Sequence, residues 1–210
     1  TIAVPDEQVN QWLSSQCQKP LQCGKYNGDD VLINAIVQQR RILDNSELDS
    51  MRYAQQITAE SHINAMKATH PGANERDIAA AFFGPGLRLG LPQAYQPIVT
   101  VDGHILHNHR YQNTLMAGQL MLLDGVVESP NGYATDVTRT WPVSGEWSQQ
   151  QRECYEAVLE AQTRAIALLA PGRRYREVHT EASLAIAEFL SSVGLLNCTP
   201  ETAVETGAHA

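Results

Sequence analysis

The 210-residue chain is 43% hydrophobic and 18% charged, with a formal net charge of −8, a globular composition long enough for one large core or a core with a small second domain. Lys and Arg are scattered without a basic block, which argues against a nucleic-acid surface; no run of about twenty apolar residues and no visible signal peptide points to a membrane. The four cysteines, Cys17, Cys23, Cys154 and Cys198, follow no zinc-knuckle spacing and suit a reduced, cytoplasmic protein, a compartment that disfavours a disulfide between the neighbouring Cys17 and Cys23.

Residues 1–41 are mixed and read as a linker or the remains of a preceding domain. A short amphipathic piece (Val9, Trp12, Leu13) is broken by Pro20, Gly24 and Asn27-Gly28. Asp29 or Asp30 then caps a helix through Val31–Val37. Residues 42–210 form the main domain. Ser46-Glu47 opens a helix in which Leu48, Met51, Ala54, Ile57, Thr58, Ser61, His62 and Ala65 recur at helical spacing, and Pro71-Gly72 ends it. Asn74 caps a further helix from Glu75 to Phe82. Gly and Pro dominate from Gly84 to Pro92, predicting irregular chain. Strands are expected over Pro97–Val101, Gln119–Leu123 and Tyr133–Trp141. Ser148 caps a long helix to about Leu169, Pro171-Gly172 stops it, and another helix runs from about Tyr175 to Val193.

Two stretches echo each other. Lys67–Ile78 and Ala167–Val178 both run from a long helix through Pro-Gly into a second helix, roughly a hundred residues apart. A chance Pro-Gly pair is the plain alternative, and the long helix before each pair weakens it. Strands follow the first copy, whereas the chain stops soon after the second. It begins at Thr1 rather than Met and ends without a helix stop, so both ends read as cut from something longer.

The densest chemical signal lies between Leu122 and Pro142. Asp124 and Asp136 fall on neighbouring strand-like segments joined by the turn Ser129-Pro130-Asn131-Gly132. Opposed side chains on paired antiparallel strands stand only about 5 Å apart. Two carboxylates held that close repel unless a proton or a cation sits between them. Hard oxygen ligands at that spacing suit a divalent ion, or two ions about 3.5–4 Å apart. The pattern alone also fits two solvated acids at a hairpin end. Upstream, His104, His107 and His109 crowd a loop that reads as a polar turn, a transition-metal site or a place for a proton-exchanging imidazole.

The run Tyr133-Ala-Thr-Asp136-Val-Thr-Arg-Thr140-Trp-Pro-Val-Ser-Gly145, with Leu122-Leu123-Asp124 before it, resembles the first metal-binding motif of the pita-bread metallopeptidases, a family that includes aminopeptidase P, prolidase and methionine aminopeptidase. The Xaa-Pro branch is the one it looks like most. The resemblance implies an α+β pita-bread fold, with two pseudo-symmetric helix-helix-strand halves, here truncated after the first half and the helices of the second. It implies a metallo-exopeptidase that uses a metal-activated water to hydrolyse the N-terminal bond of peptides with proline second.

In that family two Asp, one His and two Glu hold two divalent ions. Asp124 and Asp136 match the two Asp, with Asp136 the bridging one, and their separation is one residue longer than in many members. The His-Gly-x-Gly-His segment and the strands bearing both Glu are not found, and His209 is not a match. The 210 residues by themselves are therefore expected to be inactive. The ligand set favours Mn²⁺, with Co²⁺, Zn²⁺ or Fe²⁺ as alternatives. His107 matches the family's Leu-His segment and is expected to contact substrate and shuttle protons; Tyr95 is placed with it at the substrate. A homodimer, or a second chain completing the fold, is compatible with the resemblance. The rival implication is a non-catalytic pita-bread relative that binds peptides or proteins, against which the retention of both acids argues. One departure stands out: Val126 replaces a glycine of the family's Asp-Ala-Gly-Ala-Glu pattern, and would distort the segment if that position needed a backbone angle reserved for glycine.

Overall fold

A computed structural model of the chain describes residues 4, 6–21 and 30–209. Cys23 and the Asp29 cap lie outside the described residues. Among these residues the chain forms helices α1 (Glu7–Cys17), α2 (Asp30–Arg40), α3 (Asn45–Ala68) and α4 (Glu75–Arg88), then strands β1 (Ile98–Thr100), β2 (Leu120–Asp124) and β3 (Thr138–Pro142), then helices α5 (Gln149–Ala167), α6 (Tyr175–Ser192) and α7 (Pro200–Thr206).

Local chemistry sets most of these boundaries. Asp6 caps α1 by accepting the Val9 N–H. Asn74 accepts the Arg76 N–H at 3.2 Å while its own N–H donates to the Asp77 carboxylate at 2.9 Å, a reciprocal start for α4. Ser148 and Gln151 form the same box at the head of α5. The two Pro-Gly turns match in backbone: Gly72 has φ +91° and Gly172 φ +87°, the left-handed geometry that glycine adopts freely.

The chain divides into two compact units. The first comprises Thr1–Ala65, Ala79–Ile98 and Asp124–Thr138; the second comprises Met66–Ile78, Val99–Leu123 and Arg139–Ala210. The core of the first unit is built on the inward face of α3, where Ala54, Ile57, Thr58, Ser61 and His62 are buried at helical spacing. Phe82, Leu91, Val126 and Val127 are buried in the same unit, and Ile57, Leu91 and Val127 form one cluster. The three strands form one sheet in the order β1-β2-β3. Its central strand alternates as a half-buried strand should: Met121 and Leu123 are buried, while Leu120, Leu122 and Asp124 are partly exposed. In the second unit α6 packs against both α5 and α7, and Arg164 donates to Glu181 at 2.6 Å and Glu188 at 2.5 Å.

Three expectations change. The helix starting at Glu75 runs past Phe82 and through Pro85 to Arg88. Proline removes one helix donor, but Gly86 lets this last turn lie close to Val127, whose Cγ2 would stand 3.3 Å from a Cβ placed there. The Gly90 N–H to the Leu87 carbonyl and the Leu91 N–H to the Gly86 carbonyl then close the end. The third strand is shorter than Tyr133–Trp141 and begins at Thr138. Side chains of the preceding residues bond to α3 instead: the Tyr133 hydroxyl donates to Glu47 at 2.6 Å and the Thr135 hydroxyl to Gln55 at 2.6 Å. Finally, α7 is an additional helix, capped by Thr199 with proline at its first position.

Candidate metal centre

Asp124 ends β2 and is half-buried; Asp136 lies two residues before β3 and is exposed. The intervening turn is closed by the Ser129 N–H to the Tyr133 carbonyl at 2.8 Å and the Gly132 N–H to the Ser129 carbonyl at 3.0 Å. Past β2 the pairing continues for one bond, from the Gly125 N–H to the Val137 carbonyl at 3.2 Å. That bond ties the backbone next to one acid to the backbone next to the other.

The two carboxylates meet at one atom. The Tyr95 hydroxyl lies 2.5 Å from Asp124 Oδ1 and 3.2 Å from Asp136 Oδ1. The acid oxygens can therefore be no farther apart than the sum of those distances. A phenol carries a single proton, so it can donate fully to only one of them. Partial burial of the hydroxyl, and then the hydrogen bond to Asp124 and the two negative charges, raise the Tyr95 pKa above its usual value. The hydroxyl consequently stays protonated and remains a donor. The two carboxylates thus share a single proton donor, the longer contact being the one to Asp136, an arrangement in which a shared cation is favourable. Oxygen-only donors of this kind suit hard divalent ions, bound at roughly 2.0–2.6 Å.

The backbone behind the acids is held from α3. Nε2 of buried His62 lies 3.0 Å from the Gly125 carbonyl, so this nitrogen carries the proton and donates. The Val127 N–H donates to the buried Thr58 hydroxyl at 3.0 Å. Gly125 itself has no room for a side chain: a Cβ there would stand 2.8 Å from Phe82 Cζ and 2.9 Å from Pro97 Cβ. In the sequence, Thr58 and His62 read only as members of the inward stripe of α3. Their polarity on that stripe was the available signal for a second role.

Val126 does not take up the left-handed backbone that glycine favours. Gln18 and His107 are the non-glycine residues at positive φ among those described, so position 126 does not require glycine. Val126 is fully buried and its carbonyl accepts the Ala94 N–H at 3.2 Å.

In the second unit, His107 stands exposed at φ +54° on the loop after β1. With Asp102, Asn108, His109 and Arg110 it lines an open depression of about 530 Å³. No group of three or more His, Cys, Asp or Glu side chains able to hold a metal ion occurs among the described residues, so His104, His107 and His109 do not gather as a transition-metal site. Nδ1 of His209 lies 3.1 Å from the Ala203 carbonyl. No helix among the described residues is long and apolar enough to cross a membrane.

The model of metallopeptidase family M24 matches residues 49–204. A probable Xaa-Pro aminopeptidase of Talaromyces stipitatus is 34% identical over 182 residues, covering 83% of this chain and 39% of that protein. The Xaa-Pro aminopeptidase of Haemophilus influenzae is 37% identical over 175 residues, covering 82% of this chain and 40% of that protein. Among solved structures, the Pseudomonas aeruginosa aminopeptidase PepP superposes with a TM-score of 0.78 at 34% identity, over 81% of this chain and 39% of its own. Zinc-substituted E. coli aminopeptidase P in complex with product superposes with a TM-score of 0.77 at 28% identity, over 96% of this chain and 53% of its own. The chain thus spans between two fifths and about half of these relatives, and its mixed helix and sheet follow the pita-bread fold.

Proposed function

Because the chain belongs to metallopeptidase family M24, we propose that the full-length protein is a metal-dependent aminopeptidase that removes the N-terminal residue from peptides with proline second. The observation that carries this reading is the convergence of Asp124 and Asp136 on the Tyr95 hydroxyl. Two acids sharing one neutral donor fit a divalent cation better than they fit each other. Asp124 and Asp136 would hold the metal, Asp136 as the residue shared between two ions. Mn²⁺ is the ion proposed, since carboxylate oxygens suit it.

A bound divalent ion supplies the acidity that makes water a nucleophile near neutral pH and polarises the scissile carbonyl. The protein's own residues do the rest. Tyr95, protonated, donates to Asp124 and fixes the direction of its free oxygen, as partners behind metal ligands do. His62 and Thr58 hold residues 125 and 127 so that Asp124 keeps its orientation. His107 contacts the peptide and exchanges a proton with it, work suited to an imidazole. A purely binding role is less well supported, because the named relatives are aminopeptidases and both acids are kept.

Chelation tests the reading. Full-length protein treated with EDTA is expected to lose hydrolysis of an Xaa-Pro peptide, and added Mn²⁺ to restore it. Turnover untouched by chelation, or absent whatever ion is added, would refute the proposal. Tyr95→Phe tests the role of the hydroxyl. It removes the donor and leaves the ring, so the fold should persist while Mn²⁺ affinity falls ~10- to 100-fold. Unchanged affinity in a calorimetric titration would show that the hydroxyl does not orient Asp124.

A further inference from the structure

Glu75, the first residue of α4, is a fully buried acid. Burying a carboxylate is costly unless its oxygens are bonded, and four N–H groups meet this one. Oε1 accepts from the Val101 backbone at 2.9 Å and from the Asn113 side-chain amide at 3.0 Å. Oε2 accepts from the Gln112 and Asn113 backbones, both at 2.9 Å. The Asn113 amide also donates to Asp102 at 2.9 Å, and the Glu75 N–H donates to the Asn113 carbonyl at 3.0 Å.

These donors stand at the two ends of one loop, residues 102–111. One carboxylate therefore closes the mouth of the loop, where charge-assisted bonds to backbone N–H groups are strong. Inside the loop, Asp102 and Asn108 both bond the Thr100 hydroxyl, the second at 3.3 Å. His107 sits next to Asn108 in a left-handed conformation that a non-glycine residue keeps only where its surroundings impose it. It projects from a loop whose ends are fixed and whose face is the open depression.

We infer that Glu75 is a positioning residue for His107: by clamping both ends of loop 102–111, its buried carboxylate fixes where the imidazole stands. This rests on the reading of His107 as a substrate contact. Replacing Glu75 by Gln keeps the shape but sets an NH₂ group against N–H donors. Misplacing a working group by about 1 Å costs on the order of 100-fold.

The test is a double-mutant cycle in the full-length, Mn²⁺-loaded protein, with metal content measured alongside. Glu75→Gln is expected to lower kcat/KM ~10- to 100-fold with unchanged metal content. In a His107→Ala background the same change should cost less than ~2-fold, because coupled residues are not additive. If His107→Ala leaves kcat/KM intact, the reading of His107 falls and the inference falls with it. If His107→Ala impairs turnover and Glu75→Gln costs as much in that background as alone, His107 keeps its role and the inference is wrong. Loss of metal from Glu75→Gln would also overturn it. Should Glu75→Gln not fold, Asn113→Ala, which deletes one donor to Glu75, carries the same cycle, with the same coupling expected and additive losses contradicting it.

Discussion

Asp136→Ala in the full-length protein should lower kcat/KM by ~10³-fold or more, about 4 kcal/mol of transition-state stabilisation. The size follows from the proposed place of this acid, shared between ions rather than bound to one. The substitution should not weaken the fold. Asp136 is exposed, so truncation opens no cavity, and surface changes usually stay within about 0.5 kcal/mol. Without metal, the variant should melt at the wild-type temperature or slightly above, because one of two neighbouring negative charges has gone. With Mn²⁺ added, wild type should gain stability through binding to the native state and the variant should gain little. A variant that keeps its turnover, or one that loses turnover only because it unfolds without metal, would remove Asp136 from the site.

Gly125→Ala is expected to destabilise the protein by roughly 1–3 kcal/mol, the usual cost of overpacking a core. The new methyl would fall 2.8 Å from Phe82 Cζ, 2.9 Å from Phe82 Cε1 and 2.9 Å from Pro97 Cβ. Phe82 has little freedom to yield. It is fully buried and stacks edge-on with His62, ring centroids 5.3 Å apart, and the His62 ring is fixed by its bond to the Gly125 carbonyl. Any relief must therefore come from the backbone of residue 125, which adjoins Asp124. Lower Mn²⁺ affinity should accompany the lower melting temperature. Phe82→Leu in the same chain should recover part of both by vacating the ring's edge. A Gly125→Ala protein as stable as wild type would show that this segment moves more freely than its contacts allow.

The sequence was most readable where chemistry is local. Ser148 and Gln151, or Asn74 and Asp77, state a helix start within four residues, and both helices begin there. The turn Ser129–Gly132 and the alternation along β2 were likewise written in adjacent residues. Elsewhere a distant partner decides the local structure. Gly84-Pro85-Gly86 looked like loop chemistry, yet the close approach of Gly86 to Val127, forty-one positions on, belongs to a helix. Tyr133 and Thr135 have strand propensity, but their hydroxyls bond Glu47 and Gln55 on α3.

The candidate site divides in the same way. Asp124 and Asp136 stood out because their neighbours resemble a known motif, and they do meet at Tyr95. Their supports did not stand out. Thr58 and His62 were hidden in an inward helical stripe, and their polar partners lie more than sixty residues away. Glu75 read only as the first turn of a capped helix, since its four donors come from residues 101–113. For Val126 the family pattern suggested a strained backbone, whereas the glycine this segment needs for space is Gly125. The short α7 did carry a signal, a Thr cap followed by proline, but seven residues are too few for apolar periodicity to speak.

The most direct measurement is a Mn²⁺ titration of the full-length protein, followed by calorimetry and by the electron paramagnetic resonance of the free ion, for wild type, Asp124→Asn and Asp136→Asn. Asparagine preserves size and one oxygen while removing the charge. Wild type is expected to take up Mn²⁺ tightly, and each variant to lose at least one bound ion or most of the affinity, while its melting temperature without metal is unchanged. Either variant binding Mn²⁺ with wild-type stoichiometry and affinity would contradict the claim that these two carboxylates together hold the metal.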